Sequence, residues 1–235
     1  MRWSLGFLVI AAFTLAGFST ASAADCGQCA RAAQCGKAVD LLAGDSLDGW
    51  DVFLEDSNVK KQDVWSVKDG VLVCKGEPLG YLYTKKDYKN FKLGLQWRWA
   101  PGTEGGNSGV LLRITGKAVS FLPKCAEAQL KSGSAGDIWG FYGYQLQGDP
   151  ARFKKIENHE LLGNFVGVGL IKANEKPIGQ WNTYEITFDQ GRLTLVVNGE
   201  KVNEATDCDV VAGAIGLQSE GGEIHFRSIH VTELP

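Results

Sequence analysis

The sequence has 235 residues, 30 glycines, seven tryptophans and a formal net charge of −3, with acidic and basic side chains interspersed. This charge supplies no basic stripe for nucleic acid and no polybasic segment for a membrane surface, so neither partner is expected. The length suits one domain with a sizeable core, and no repeat runs along the chain.

Residues 1–24 have the features of a secretory signal peptide. Arg2 supplies a positive charge, 5–17 is apolar, and a small-residue run ends at Ala23-Ala24. The apolar run is shorter than the ~20 residues that a bilayer crossing needs. We therefore expect cleavage after Ala23 or Ala24, no membrane span after cleavage, and a secreted or periplasmic protein.

Six cysteines are compatible with an oxidising compartment. They are Cys26, Cys29, Cys35, Cys74, Cys125 and Cys208. Disulfides are the expected state, although free thiols and the pairing stay open. A zinc site at Cys26 and Cys29 is a weaker alternative, because no histidine lies near them. We expect 25–38 to be a Cys-rich leader, with a short helix in the Ala-rich stretch 30–39.

The rest of the chain, 39–235, has strand patterns. Asp69-Gly70 and Asn198-Gly199 separate alternating runs and predict two β-hairpins. In 91–99 every second residue is apolar, which predicts a strand with one buried face. Further strands are predicted at 109–114, 126–130, 183–188, 214–218 and 223–231. So many short strands, with no long helical pattern, predict an all-β sandwich or jelly roll of two antiparallel sheets.

Polar side chains alternate with apolar ones on several predicted strands. If Val110, Leu112 and Ile114 face the core, Arg113 faces the other way. Glu127 and Gln129 likewise stand opposite their apolar neighbours. These residues either line a binding face or belong to an ordinary solvated outer face.

The aromatic residues divide into two groups. We expect Trp50, Trp65, Trp97, Trp99 and Trp181, which lie on or beside strands, to be core residues. Trp139, Phe141, Tyr142 and Tyr144 occupy a Gly-rich stretch where they could stack on sugar rings.

Several motifs together resemble the DUF1080 family, also called the 3-keto-disaccharide hydrolase domain. They begin at Leu47-Asp-Gly-Trp50, Trp65-Ser-Val-Lys-Asp-Gly, Asn107-Ser-Gly-Val-Leu-Leu-Arg113, Glu127-Ala-Gln129, Gly136-Asp137-Ile-Trp139, Gly179-Gln-Trp181 and Leu217-Gln-Ser-Glu220-Gly. The resemblance covers roughly 39–234. It implies a concanavalin A-like, glucanase-type jelly roll that cleaves glycosides carrying a ketone at C3.

The implied chemistry differs from that of an ordinary glycosidase, which uses two carboxylates around an oxocarbenium-like transition state. A C3 ketone acidifies the C2 hydrogen, so a base can form an enediolate that expels the C1 substituent, and water then adds. The site needs one base, a cation or dipole for the enediolate, and a proton source for the leaving oxygen.

The resemblance implies a concave cleft that contains these groups. It assigns Glu127 as the base, Asp137 as acid or hydroxyl acceptor, and Arg113 as the cation. The substrate-binding residues implied are Gln129, Trp139, Tyr142, Gln218, Glu220 and Arg227. Where many members carry Asp-His-Gly this chain has Ser219-Glu220-Gly221, so any role of that histidine is in doubt. No catalytic metal or other cofactor is expected, and a structural calcium is left open.

The alternative function is a non-catalytic, lectin-like glycan-binding module of the cell envelope, since one fold serves both roles. The ionisable Glu127, Asp137 and Glu220 favour the enzyme, and the altered histidine position favours the binder. A third alternative is an envelope structural protein that pairs with another chain through its N-terminal cysteines. The oligomeric state stays open.

Overall fold

The computed structural model describes residues 36–118 and 120–235. The predicted signal peptide, the leader cysteines Cys26, Cys29 and Cys35, and most of the predicted helix at 30–39 lie outside the described residues. The described end of that stretch is not helical, because Val39 begins the first strand.

Sixteen strands form two antiparallel sheets, which confirms the predicted all-β fold. They are β1 (Val39–Asp40), β2 (Trp50–Leu54), β3 (Trp65–Lys68), β4 (Val71–Cys74), β5 (Gly80–Thr84), β6 (Phe91–Trp99), β7 (Gly109–Thr115), β8 (Lys124–Gln129), β9 (Ile138–Phe141), β10 (Phe153–His159), β11 (Gly163–Val168), β12 (Asn182–Asp189), β13 (Arg192–Val197), β14 (Glu200–Ala205), β15 (Ala214–Ser219) and β16 (Ile224–Glu233). A 3-10 turn (Ala43–Asp45) and one short helix, α1 (Lys61–Val64), complete the described elements.

One sheet, here called the cleft sheet, has the order β10-β11-β9-β8-β7-β15-β5-β2. The other, the back sheet, has the order β14-β13-β12-β6-β16-β4-β3, with β1 paired to β16. Both predicted hairpins are present, β3 with β4 and β13 with β14. Their turn residues Asp69-Gly70 and Asn198-Gly199 have the positive φ values that such two-residue turns require.

The core lies between the sheets and is built by alternation. On β6 the residues Phe91, Leu93, Leu95, Trp97 and Trp99 are buried, as predicted. Trp97 packs against Tyr184 of β12, with ring centroids 5.3 Å apart. Trp50 and Trp65 are also core residues, each about 1 % exposed.

The prediction for Trp181 is wrong. Its ring lies on the outer face of the back sheet, where the guanidinium carbons of Arg98 and Arg227 are 4.6 and 4.0 Å from its centroid. Trp181 precedes β12 by one residue and faces outward, where two cations cover its ring.

For the three described cysteines the expectation of disulfides is wrong, and for Cys26, Cys29 and Cys35 it stays a prediction. Cys74, Cys125 and Cys208 are buried free thiols. Burial raises the pKa of Cys74 and of Cys208 to about 12, so each behaves as a small apolar side chain. Within the described part of the chain, no helix has the length and hydrophobicity that a bilayer crossing requires.

Candidate active site

A cavity of about 360 Å³ opens on the outer face of the cleft sheet, away from the core. This volume lies within the range of small-molecule sites. One part of its lining is polar and contains Asn107, Glu127, Gln129, Asp137, Gln218 and Glu220, with Lys131 and Ser134 at the rim. The other part is formed by Leu122, Trp139, Phe141, Leu162 and Phe165, with His159 beside them.

Strand register explains this separation. Gly109 pairs with Gln129. The backbone N–H of Gln129 donates a hydrogen bond to the backbone carbonyl of Asp137, in the loop before β9. Two residues before Gln129 on β8, Glu127 pairs with Leu111 and with Trp139. Because alternate residues share a face, polar and apolar rows follow one another about 7 Å apart along the strands.

The third row is apolar. Cys125 pairs with Phe141, whose ring centroid lies 5.4 Å from that of Phe165 on β11. Ala126 and Ala128, the neighbours of Glu127 on β8, point into the core between the sheets. The alternation predicted for β8 therefore places Glu127 and Gln129 in the cavity.

Gly109 creates the space that the Glu127 carboxyl occupies. A Cβ atom at position 109 would lie 2.0 Å from Oε1 of Glu127, far inside van der Waals contact. Glu127 therefore leans across β7 toward Gln218. Only glycine fits at this position while the carboxyl stays where it is.

Four buried polar atoms of the cavity residues have no hydrogen-bond partner among the described residues. They are Oδ1 of Asn107, Oε1 of Glu127, and both Oε1 and Nε2 of Gln218. Such atoms are rare in folded proteins, because each costs roughly 1–3 kcal/mol when it is left unpaired. Their convergence on one cavity indicates a site for a ligand rich in hydrogen-bonding groups.

Other hydrogen bonds hold the polar row in place. Oε1 of Gln129 accepts the backbone N–H groups of Leu130 and Lys131 at 2.9 and 2.8 Å, which directs its amide nitrogen away from the strand. Oδ1 of Asp137 accepts the N–H of Leu170 at 2.7 Å. The second Asp137 oxygen makes no hydrogen bond within the described residues and is free to accept a ligand hydroxyl.

The environments of the two glutamates differ. Burial raises the pKa of Glu127 well above its ordinary value, and the nearby charges of Glu220 and Asp137 raise it further. Burial raises the pKa of Glu220 only to about 7, since hydrogen bonding from Asn107, the charge of Lys131 and the Gln218 amide oppose it. At neutral pH Glu220 is partly ionised, and Glu127 holds its proton more tightly than an exposed glutamate does.

The apolar row forms a wall at the other end of the cavity. Trp139 is half-buried, and its indole lies flat across Gly167, where a Cβ atom would be 2.3 Å from Cε3 of the ring. The centroids of Trp139 and Phe165 are 5.6 Å apart in an edge-to-face contact. Lys154 covers part of the indole from 5.5 Å.

Arg113 is not in the cavity, contrary to the prediction from the sequence. Its φ is +52°, and the register of β7 shifts between Leu112 and Thr115. The resulting bulge turns Ile114 to the cavity face of the sheet, whereas Val110 and Leu112 stay in the core. Strict alternation therefore fails at this strand.

The Arg113 side chain is fully buried instead. Its guanidinium donates hydrogen bonds to the backbone carbonyls of Lys89, Asp209 and Gln190 at 2.5 to 2.8 Å. It also lies 3.6 Å above the centroid of Phe188. Arg113 ties three chain segments together, and it is buried outside the cavity lining, where it does not meet a substrate.

Three further predictions of cleft residues are corrected. Arg227 belongs to the back sheet, where its Nε donates to Gln96 at 2.7 Å on the outer face. Tyr142 lies beyond the cavity, and its hydroxyl is hydrogen-bonded to Ser120 at 2.8 Å. Tyr144 is a core residue, 1 % exposed. The other predicted residues, Glu127, Asp137, Gln129, Trp139, Gln218 and Glu220, line one cavity.

Lys131 and His159 line the cavity but were missed in the sequence. Lys131 lies two residues after Gln129 in a tight loop, and His159 lies at the hairpin joining β10 to β11. Neither has a periodic signal, because each occupies a turn. Asn107 is the first residue of one of the quoted motifs. Its position just before β7 was the signal that could have identified it as a cavity residue.

Within the described ranges, no group of three or more histidine, cysteine or acidic side chains is arranged to hold a metal ion. The carboxyls of the cavity are near enough to influence one another's pKa values without forming such a group. The expectations of no catalytic metal and of an optional structural calcium stay predictions.

A two-sheet β sandwich with a carboxyl-containing cavity on one sheet defines a protein of the jelly-roll class found among glycosidases and carbohydrate-binding modules. The sequence matches the 3-keto-alpha-glucoside-1,2-lyase-like domain over residues 37–232. The chain belongs to this family.

Known relatives agree with that class. A 3-keto-disaccharide hydrolase from Bacteroides thetaiotaomicron is 22 % identical over 243 residues, covering 83 % of this chain and 78 % of the relative. A solved structure from Parabacteroides distasonis ATCC 8503 carries a provisional glycosyl hydrolase assignment; it has a TM-score of 0.59 at 22 % identity, with 84 % of this chain and 100 % of that chain covered. The carbohydrate-binding module CBM66 from Bacillus subtilis has a TM-score of 0.54 at 11 % identity, over 77 % of this chain and 93 % of the module. Family and relative place the chain among glycosyl hydrolase-like proteins, and the two structures support the fold.

Proposed function

We propose that this protein cleaves glycosides whose sugar carries a ketone at C3, by elimination followed by addition of water. The observation that carries the proposal is the polar end of the cavity, where carboxyls with separated pKa values meet four buried polar atoms that lack partners. The family and its Bacteroides relative support this substrate class.

The different environments of Glu127 and Glu220 suit them to different catalytic roles. Carboxyls whose pKa values are pushed apart supply an acid and a base in one site. Glu220, with a pKa of about 7, supplies a carboxylate at neutral pH and is assigned as the base. Glu127, whose pKa is raised well above its ordinary value by burial, is assigned as the acid. This reverses the role that the sequence resemblance gave to Glu127.

In the proposed reaction Glu220 removes the proton from C2, and the electron pair of that bond forms an enediolate with the C3 oxygen. Collapse of the enediolate breaks the bond between C1 and the leaving oxygen, which takes a proton from Glu127. Water then adds at C1 of the unsaturated ketone, and a proton returns to C2. The products are the 3-keto sugar and the free aglycone, so the overall reaction is a hydrolysis.

Charge on the enediolate needs stabilisation that Arg113 cannot give. The amide nitrogen of Gln129 makes no hydrogen bond among the described residues, and the Gln218 amide already lies close enough to Glu220 to lower the pKa of that carboxyl. Both residues line the polar end. Lys131 at the rim adds a positive charge, which also lowers the pKa of Glu220. Amide dipoles fixed in a partly dry cavity stabilise a developing oxyanion more strongly than water does.

The test compares a glucoside with its 3-keto derivative in parallel incubations with purified protein. Aglycone release from the ketone alone is expected. Glu220→Gln and Glu127→Gln should each reduce kcat by about two to four orders of magnitude, the usual contribution of a positioned acid or base. Glu185→Gln, an exposed change on the outer face of the back sheet, is the matched control.

The pH profile separates the two roles. Turnover should rise with pH through about 7 as Glu220 loses its proton, and fall at higher pH as Glu127 loses its proton. Release of aglycone from the ordinary glucoside at an equal rate would refute the proposal. Saturable glycan binding with no cleavage of either compound would instead support the lectin-like alternative.

We also propose that this chemistry takes place outside the cytoplasm, on the basis of the signal-peptide pattern in 1–24. Mass spectrometry of the exported protein should find a chain that begins near Ala24 or Asp25. Recovery of peptides from 1–17 in the soluble exported form would contradict cleavage.

A further inference from the structure

The apolar end of the cavity is defined here by Trp139, Phe141, Leu162 and Phe165, with Leu122 at its base. Trp139, Leu162 and Phe165 are only partly buried, so they present carbon surface to whatever occupies the cavity. These residues continue into a second hydrophobic cluster on the outer face of the cleft sheet, separate from the core between the sheets.

The pairing of β8 with β9 places this wall next to the proposed catalytic carboxyls. Glu127 and Trp139 are paired neighbours, and Cys125 and Phe141 form the next row on the same face. The apolar end therefore begins beside Glu127, the proposed proton donor for the leaving oxygen. A sugar held at the polar end would direct its C1 substituent to this wall.

Few hydrogen-bonding groups lie at the apolar end: the indole N–H of Trp139, one nitrogen of His159, and the ammonium of Lys154, 5.5 Å from the centroid of the Trp139 ring. The side chains of Leu122, Phe141, Leu162 and Phe165 have none. Nδ1 of His159 already accepts the N–H groups of Leu161 and Leu162, each at 3.3 Å, which leaves only Nε2. A second sugar ring could stack on Trp139, but most of its hydroxyl groups would lose water without gaining a partner.

We propose that the leaving group accommodated here is an apolar or aromatic aglycone, and not a second sugar. The inference rests on the proposed function, because it takes the polar end as the sugar site. The Bacteroides relative, by contrast, is named for a disaccharide substrate. The substrate class is then the 3-keto derivative of an alkyl or aryl glycoside.

The test uses leaving groups of similar chemical reactivity. A phenol leaves more readily than a sugar hydroxyl, so an aryl glycoside alone would mislead. Cyclohexyl 3-keto-glucoside and a 3-keto-disaccharide both release an alkoxide oxygen, and the cyclohexyl group is not the better leaving group. Their relative kcat/KM therefore reports on recognition of the aglycone.

One face of the cyclohexyl ring buries about 50 Å² against the wall. At about 25 cal/mol per Å², this burial corresponds to a preference of about tenfold in kcat/KM for the cyclohexyl compound. Leu162→Asn places an amide in the wall and should reduce this ratio by about threefold or more. Leu161→Asn is the matched control, since Leu161 is 69 % exposed and lies outside the cavity lining. It should leave the ratio unchanged.

A kcat/KM for the disaccharide equal to or above that for the cyclohexyl compound would overturn the inference. So would equal effects of the two leucine substitutions. Calorimetric binding of the same two compounds separates this inference from the proposed reaction. If neither ketone is cleaved, the reaction is wrong, and the inference still requires tighter binding of the cyclohexyl compound by wild type and loss of that difference in Leu162→Asn.

Discussion

Replacing Glu220 by glutamine should stabilise the domain while reducing kcat by about two to four orders of magnitude. The folded-state pKa of Glu220 is about 7 against an ordinary value of 4.5, so the folded protein holds this proton more tightly than the unfolded chain does. Folding stability from this group is therefore present at low pH and is lost as pH rises from about 4.5 to about 7. Glutamine mimics the protonated form at every pH.

The raised pKa corresponds to at most about 3 kcal/mol of unfolding free energy at about 1.4 kcal/mol for each pKa unit. Because the carboxyl keeps some contact with solvent, we expect about 1 to 2 kcal/mol. For a domain of this size that is a rise in Tm of about 4 °C at pH 8. At pH 5 only about a quarter of this gain should remain.

Thermal melting of wild type, Glu220→Gln and Glu185→Gln at pH 5 and pH 8 measures this effect. Glu127 also contributes to the pH dependence of stability. The effect of its burial is common to all three proteins, whereas the part of its raised pKa that the Glu220 charge causes is removed with that charge in Glu220→Gln. The control should follow wild type at both pH values. A Glu220→Gln variant with no gain in Tm between pH 5 and pH 8 would show that the carboxyl is not held in the environment described.

Three further outcomes follow from the packing. Arg113→Met should lower the unfolding free energy by about 3 kcal/mol or more, because it leaves buried carbonyls without their donor. In assays well below its Tm, the folded variant should keep a kcat within about tenfold of the wild-type value. Gly109→Ala should reduce kcat about a hundredfold, since its methyl group would displace the Glu127 carboxyl, and a crystal structure with an unmoved carboxyl would contradict this. The three thiols of the described domain should resist iodoacetamide until unfolding, and a disulfide between any two of them in the peptide map would be inconsistent with the structure.

The sequence predicted most of the back sheet and β8, because apolar and polar side chains alternate along most of the length of these strands. On β6 five alternate apolar residues are buried, and on β8 the same rule places Glu127 and Gln129 in the cavity. Strands β2, β5, β9, β10 and β11 were missed. Several of them are short, rich in glycine or largely exposed, so their periodic signal is weak.

The errors at the site have a physical cause in the backbone. Alternation assumes an unbroken ladder, and the bulge at Arg113 breaks it. Arg227 is a true strand residue, but the sequence does not say which of two sheets a strand joins. The division of roles between Glu127 and Glu220 depends on burial and on the distances between charges, which no spacing along the chain supplies.

The central claim is that cleavage begins by removal of the C2 proton of a 3-keto-glycoside. A substrate carrying deuterium at C2 tests it directly when the reaction is run in ordinary water and the released 3-keto sugar is weighed by mass spectrometry. We predict that the product loses its deuterium, while unreacted substrate recovered from the same incubation keeps it. Aglycone release with deuterium fully retained at C2 of the product, and at the same rate as from the unlabelled substrate, would contradict the account, because it would show that the bond to C2 hydrogen is never broken.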